Sequence, residues 1–203
     1  GFEWDVGIHY IGEVQRPNSV IKKLFDYVSD AKLEWADMGD VYDKIIIGDK
    51  EYDFVKGTQN FKDKLVEYFP KEKEAIDTYV NLVFEAIKTS QNFYISKAIS
   101  PMMNLFIGNK MRKPFYKFSD KTTYEVLKSI TDNEELIKVL AGQYGDYGLP
   151  PKQSSFVMHA AVARHYFGGG SFPVGGSSQI AKTIDAVIEK AGGTILISAD
   201  VEE

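Results

Sequence analysis

Apolar and polar side chains alternate over residues 2–10, with the apolar residues at the even positions. A period of two residues predicts a β-strand with one apolar face. The opposite face carries Asp5, Gly7 and His9 side by side. This face is either solvated or a polar surface against a ligand, and Gly7 would allow that ligand close to the backbone because it has no side chain.

A helical period marks most of the chain that follows. Apolar residues recur three and four positions apart in 20–28, 61–69, 76–87, 136–140 and 156–167. This spacing predicts a helix in each stretch, because it places the apolar side chains on one face. Thr131 and Glu134 have the spacing of a capping box ahead of the fourth helix, and Gly142 is placed to end it. Residues 145–151, with the sequence GDYGLPP, have the composition of a loop.

Strand-like sequence is confined to a few places. Ile45–Ile47 and Tyr52–Val55 flank the turn-like residues 48–51, which predicts a β-hairpin. Because strands and helices are segregated along the chain, we expect an α+β fold in which mostly helices pack on a mixed or antiparallel sheet.

The last 36 residues, 168–203, combine a glycine-rich turn, a helical stretch and a final alternation at Ile195, Ile197, Ala199 and Val201. We expect residues 177–203 to form a helix–strand unit of the kind that docks into a parallel sheet. No partner strands for that sheet are predicted elsewhere, so we expect residues 1–203 to be a single fragment of a larger enzyme. An unpaired strand of this kind would expose apolar surface or form a homo-oligomer.

Composition narrows the functional classes. The 203 residues carry a net charge of −5, which argues against a nucleic-acid-binding surface. The absence of cysteine excludes disulfides and thiolate metal sites. No apolar run reaches the roughly 18 residues of a membrane-spanning helix. Phe, Tyr and Trp make up 13% of the chain, which predicts either a bulky core or a cavity lined for a large apolar ligand.

Candidate chemistry is sparse. His159 and His165 are six positions apart on one predicted helix, about 240° around it, so they cannot share a metal ion. With no metal-binding motif in the sequence, no metal site is expected. His159 lies near the apolar stripe and is either a hydrogen-bonded core residue or a functional one. Gly175, Gly176 and Ser177 precede a helix, where they either cap it or contact a cofactor through free N–H groups.

Three blocks of sequence together resemble one family. They are GFEWDVGIHYIGEV, GDYGLPPKQSSFVMHAAVARHYFGGGSFPVGGSSQIAKTI and KAGGTILISADVEE. The family is that of FAD-dependent carotenoid and retinoid oxidoreductases, and the second block is most similar to its retinol saturase branch. In this family a Rossmann motif with the fingerprint GxGxxG binds the ADP half of FAD. The fingerprint is absent here, so we expect this chain to be the substrate-domain region and not to hold FAD by itself.

The resemblance implies roles for particular residues. Gly175, Gly176 and Ser177 would lie close to the flavin. Asp5, Gly7, His9 and His159 would contact or surround the substrate, an apolar polyene. FAD is the implied cofactor, and NAD(P) is left open as a second one. No catalytic proton donor is assigned.

The resemblance also implies a function and a place in the cell. The whole enzyme would saturate, desaturate or isomerise a double bond of a retinoid or carotenoid, with the flavin carrying the electrons. The alternative is a non-catalytic lipophile-binding module on the same scaffold. The implied location is the cytoplasm, with the whole enzyme at a membrane surface.

Overall fold

The computed structural model describes Gly7 and residues 10–201. The chain divides into two compact units, the first made of residues 1–39 and 169–203 and the second of residues 40–168. The strand expected over residues 2–10 falls almost entirely outside the described residues. Among the described residues, no helix is both long and apolar enough to cross a membrane.

The first unit contains a small antiparallel sheet, made of β1 (Ile11–Gly12), β2 (Trp35–Asp37) and β5 (Gly170–Pro173). The strand β5 lies in the middle, between β1 and β2. Among its described residues, this unit also has two helices, α1 (Val20–Val28) and α9 (Ser178–Lys190), which contact each other. The side-chain oxygen of Ser19 accepts a hydrogen bond from the backbone N–H of Lys22 at 3.0 Å, which fixes the start of α1.

The predicted closing strand is not formed. Residues 192–201 have neither helical nor strand structure, and Ile195, Ile197 and Val201 are exposed. The physical reason is that a strand is stabilised by hydrogen bonds to a neighbouring strand, and the described residues offer this segment none. The helix ahead of it is confirmed as α9, although its apolar face is only half-buried.

The second unit begins with the predicted hairpin. Strand β3 (Val41–Ile47) pairs antiparallel with β4 (Lys50–Val55), so that Ile47 lies opposite Lys50. The turn is therefore two residues long, Gly48 and Asp49, and Gly48 has a φ of 60°. A positive φ at the first turn residue alone is what a type II′ turn requires, and glycine adopts it without strain.

Helices make up most of the rest of the second unit and bury most of the core. They are α2 (Thr58–Tyr68), α3 (Lys73–Ala98), α4 (Pro101–Met103), α5 (Asn109–Ser119), α6 (Thr123–Lys128), α7 (Glu134–Leu140) and α8 (Phe156–Tyr166). A π-helical segment, Asn104–Gly108, joins α4 to α5, and a 3₁₀ segment, Gly142–Asp146, follows α7. The α+β class is thus confirmed, with antiparallel sheets.

Aromatic side chains pack against one another in this core. The ring of Phe61 lies 5.1 Å from that of Phe54 and 5.1 Å from that of Phe167, and all three are buried. Edge and tilted contacts of this kind stabilise a core beyond the area they bury. For these residues the abundance of Phe and Tyr reflects core packing and not the lining of a cavity.

The predicted capping box at Thr131 was wrong. Asn133 is the N-cap of α7, and its side-chain oxygen accepts hydrogen bonds from the N–H groups of Glu135 and Leu136. A capping box is formed instead by Thr122 and Glu125 at the start of α6. Thr131 accepts from the Asn133 N–H and donates to the Glu72 carboxylate at 2.7 Å, so its hydroxyl holds the turn before the helix.

Candidate functional site

A buried polar network crosses the core of the second unit. The Tyr79 hydroxyl lies 2.9 Å from Nε2 of His159, and the Tyr147 hydroxyl lies 3.2 Å from Nδ1 of the same ring. The network joins three separate elements, because Tyr79 belongs to α3, His159 to α8, and Tyr147 to the loop after the 3₁₀ segment. One imidazole thus ties the GDYGLPP loop to two core helices.

Burial keeps His159 neutral. Its side chain is 1% exposed, and desolvation lowers the pKa of the imidazole to about 4. Burial likewise raises the pKa of Tyr79 far above its ordinary value. A neutral imidazole has one N–H donor and one acceptor nitrogen, so one tyrosine donates a hydrogen bond to the ring and the other accepts one from it. The network is therefore satisfied without any charge over the physiological pH range.

A second polar group lies beside the 3₁₀ segment. The Gln143 side-chain amide donates a hydrogen bond to Oδ2 of Asp43 at 3.1 Å. Oδ2 of Asp146 is buried and has no hydrogen-bond partner among the described residues. Burial, and then the nearby Asp43 carboxylate, raise the pKa of Asp146. Burial and these same two carboxylates raise the pKa of Tyr166.

An apolar cleft opens at the surface next to these groups. Its volume is about 460 Å³, in the range of small-molecule sites. It is lined by Ile45, Ile46, Ile47, Lys138, Ala141, Gly142, Tyr144, Pro150 and Pro151. Gly142 is required for its shape, because a Cβ at that position would lie 2.6 Å from Cδ1 of Ile45. The loop of residues 145–151 thus lines one wall of the cleft through Pro150 and Pro151. Tyr147 in the same loop bonds to the buried His159.

The glycine turn ahead of α9 lies in the first unit. Gly175 and Gly176 have φ values of 89° and 95°, which side-chain-bearing residues rarely adopt. A Cβ on Gly176 would have no described atom within 4 Å, so the backbone there is open to close approach. Ser177 occupies the N-cap position, but its hydroxyl makes no capping hydrogen bond to the described first turn of α9.

The structure places the predicted site residues in both units. The cofactor candidates Gly175, Gly176 and Ser177 belong to the first unit, and His159 belongs to the second. Gly7 is exposed and has a φ of 111°, whereas Asp5 and His9 lie outside the described residues. Among the described residues, no three His, Asp or Glu side chains are grouped so that they could hold a metal ion.

Sequence reasoning missed the two tyrosine partners of His159. Tyr79 is part of the apolar stripe of α3, and Tyr147 is part of the loop motif. A signal was present, because a buried tyrosine hydroxyl and a buried imidazole each need a hydrogen-bond partner. The sequence could not show that the two rings meet, since 80 residues separate Tyr79 from His159.

Comparison with known proteins shows which class of protein this chain resembles. No protein-family model matches the chain. Curated relatives match essentially all of it, and they confirm the resemblance to the retinol saturase branch of the FAD-dependent oxidoreductases.

The individual relatives carry more specific names. A Danio rerio protein named all-trans-retinol 13,14-reductase is 33% identical over 210 residues, which cover 99% of this chain. A Homo sapiens protein of the same name is 34% identical over 210 residues and 100% of this chain. A second Danio rerio protein, named inactive all-trans-retinol 13,14-reductase, is 30% identical over 209 residues. The chain spans 34% of the length of each of these relatives.

Proposed function

We propose that this chain is the substrate-domain region of a flavin-dependent oxidoreductase that reduces a double bond of a retinoid. The observation that carries the proposal is the similarity to all-trans-retinol 13,14-reductases, which extends over 99–100% of the chain at 33–34% identity. The open apolar cleft of about 460 Å³ supports it, because a polyene offers almost only apolar surface for recognition.

The turn at Gly175, Gly176 and Ser177 is the part of this chain that fits a flavin. Its positive φ values and the open space at Gly176 allow a planar ring or a phosphate to approach the backbone closely. The N–H groups at the start of α9 favour an electron-rich or anionic group, and no acidic residue lies in the first turn to repel it. When bound, a flavin supplies the electron pair that reduces a carbon–carbon double bond.

We propose that His159 holds the loop around Tyr147 in place and does not itself contact the substrate. The ring is 1% exposed, so it is not placed to touch a substrate in the cleft of the second unit. Its bond to Tyr147 instead anchors the loop from which Pro150 and Pro151 line that cleft. Loss of this bond would loosen the cleft wall, and weaker substrate binding would result.

Replacing Gly176 with alanine tests whether the turn contacts a flavin. The replacement is made in the intact protein, by which we mean the whole enzyme to which we propose this chain belongs. A Cβ there meets no described atom, so within the chain the cost is backbone strain alone, about 1 kcal/mol. Gly192 provides a matched control, because it also has a positive φ, 81°, and no described atom within 4 Å of its Cβ. We expect both variants to lower the melting temperature alike, and only Gly176→Ala to lower flavin content and turnover. Equal activity of the two variants would reduce the turn to a structural role.

A non-catalytic function is the second candidate. The observation that favours it is the Danio rerio relative that is named inactive yet is 30% identical over 99% of this chain. In this alternative the scaffold binds a lipophile without converting it. A titration of the intact protein with all-trans-retinol, followed by protein fluorescence, reports binding for both functions.

The reductase and the lipophile-binding module predict different results when FAD and a reducing agent are added to the complex of the protein with retinol. We expect the retinol to gain two hydrogens, a change that mass spectrometry detects directly. Binding without any gain of mass would favour the lipophile-binding module, whereas the absence of both binding and conversion would reject both functions.

A further inference from the structure

The strongest unassigned feature of the second unit is a row of large apolar side chains on its surface. Met102, Leu105 and Phe106 are 74%, 80% and 79% exposed, and Met103 and Ile107 are exposed as well. They belong to α4 and the π-helical segment. Lys110 and Lys113, also exposed, continue the same side of the helix. We call these seven residues the 102–113 surface.

The backbone beneath this surface is well braced. The guanidinium of Arg112 donates hydrogen bonds to Oδ1 of Asn104 at 2.6 Å and to Oδ1 of Asn109 at 2.8 Å. Gly108 leaves room for this bridge, since a Cβ there would lie 1.8 Å from Oδ1 of Asn104. On the inner face, Phe115 stacks on Phe93 of α3 with 4.1 Å between ring centroids. The apolar side chains are therefore held outward by a packed helix.

The stretch of sequence that contains this surface holds basic side chains and no acidic ones, although Lys117 within it pairs with Glu85 at 3.3 Å. Residues 86–119 contain no Asp or Glu and six basic residues, which are Lys88, Lys97, Lys110, Arg112, Lys113 and Lys117. The rest of the chain holds 18 of the 24 Lys and Arg residues against all 29 Asp and Glu residues. An acidic protein has thus concentrated positive charge beside its exposed apolar side chains. Apolar residues flanked by lysine are typical of helices that lie in the interface of an anionic membrane.

We propose that the 102–113 surface docks onto an anionic lipid bilayer. Phe106, Leu105 and the methionines would enter the boundary between headgroups and acyl chains, and Lys110 and Lys113 would contact the phosphates. This docking does not depend on the reaction proposed above.

Flotation of the intact protein with phospholipid vesicles tests the proposal. We expect the protein to float with vesicles that contain one-third phosphatidylserine, and to float much less with pure phosphatidylcholine or at high salt. The double variant Lys110→Gln/Lys113→Gln should lower partitioning about thirtyfold, since each basic residue contributes roughly a factor of five near an anionic surface. The variant Leu105→Ser/Phe106→Ser should reduce partitioning at every salt concentration.

Matched controls come from other exposed residues. Val20→Ser/Leu24→Ser removes apolar side chains that are 81% and 56% exposed on α1, and Lys23→Gln/Lys71→Gln removes two exposed lysines. Both controls should float like the unaltered protein, and circular dichroism should show that all variants fold.

Four results would overturn the proposal. The first is failure of the unaltered protein to float with anionic vesicles, and the second is equal flotation with neutral ones. The third is an unchanged partitioning of both 102–113 variants. If Leu105→Ser/Phe106→Ser instead dissociates an oligomer without changing flotation, the surface is an interface between copies and the lipid proposal fails.

Discussion

Replacement of His159 by glutamine should change how the stability of the second unit depends on pH. In the folded chain the imidazole is fully buried, and its pKa is lowered to about 4 from an ordinary value of 6.5. An unfolded chain therefore takes up a proton on this ring at a higher pH than the folded one. The stability that depends on neutral His159 is complete above about pH 6.5 and is lost as the pH falls towards 4.

The size of the effect follows from the two pKa values. Between pH 7 and pH 5 the free energy of unfolding should fall by about 2 kcal/mol through His159 alone. The variant His159→Gln lacks this contribution. It should also be less stable at every pH, by roughly 1–3 kcal/mol, because the buried hydroxyls of Tyr79 and Tyr147 lose partners.

Urea unfolding at pH 7 and pH 5, followed by far-ultraviolet circular dichroism, measures the pH dependence. Tyr79→Phe is the matched control, since it removes the hydroxyl bonded to Nε2 and leaves the imidazole buried. We expect Tyr79→Phe to be less stable by about 1 kcal/mol while it retains the pH dependence of the unaltered chain. If His159→Gln loses as much stability between pH 7 and pH 5 as the unaltered chain does, the buried, neutral state inferred for His159 is wrong.

Two further substitutions test the local structure. Gly142→Ala should destabilise the second unit by about 1–3 kcal/mol, because its Cβ would lie 2.6 Å from Cδ1 of Ile45. The control Gly145→Ala meets no described atom within 4 Å, so its thermal melt should be nearly unchanged. Thr122→Ala should lower the free energy of unfolding by about 1 kcal/mol, because it breaks the capping box. The control Asp132→Ala changes a side chain that is 97% exposed and should lower it by less than half as much. Equal losses would refute the assignment of the cap.

Hydrophobic periodicity predicted the larger elements because each of them buries one face. The hairpin of β3 and β4, the long helix α3 and helix α8 were all visible in this way. The short strands β2 and β5 were not, since three or four residues are too few to show a period. Their pairing joins residues more than 130 positions apart, such as Ala36 and Phe172, and only the folded chain reveals it.

The capping box shows a second limit of sequence reasoning. Thr122 and Glu125 have the same spacing as Thr131 and Glu134, so the motif alone cannot decide which pair caps a helix. In the structure the helix after Thr131 begins later, because Asn133 caps it. The closing strand expected over residues 195–201 failed for a related reason, since alternation describes a strand only where a partner is present.

The candidate site was predicted only in part. The sequence singled out His159 and the turn at Gly175 and Gly176, and the family resemblance singled out the loop from Gly145 to Pro151. It did not predict that one face of this loop lines an apolar cleft while Tyr147 bonds to His159. Those contacts depend on tertiary packing, which residue spacing along the chain does not encode.

The proposed function is tested most directly by an assay of the intact protein with all-trans-retinol. The measurement is which carbon–carbon bond, if any, becomes saturated. The assay supplies FAD and a reducing agent, and nuclear magnetic resonance of the purified product locates the saturated carbon–carbon bond. We expect saturation at the 13,14 bond, the position in the names of the relatives. Recovery of unchanged retinol from a protein that has bound both retinol and flavin would contradict the proposed reductase function.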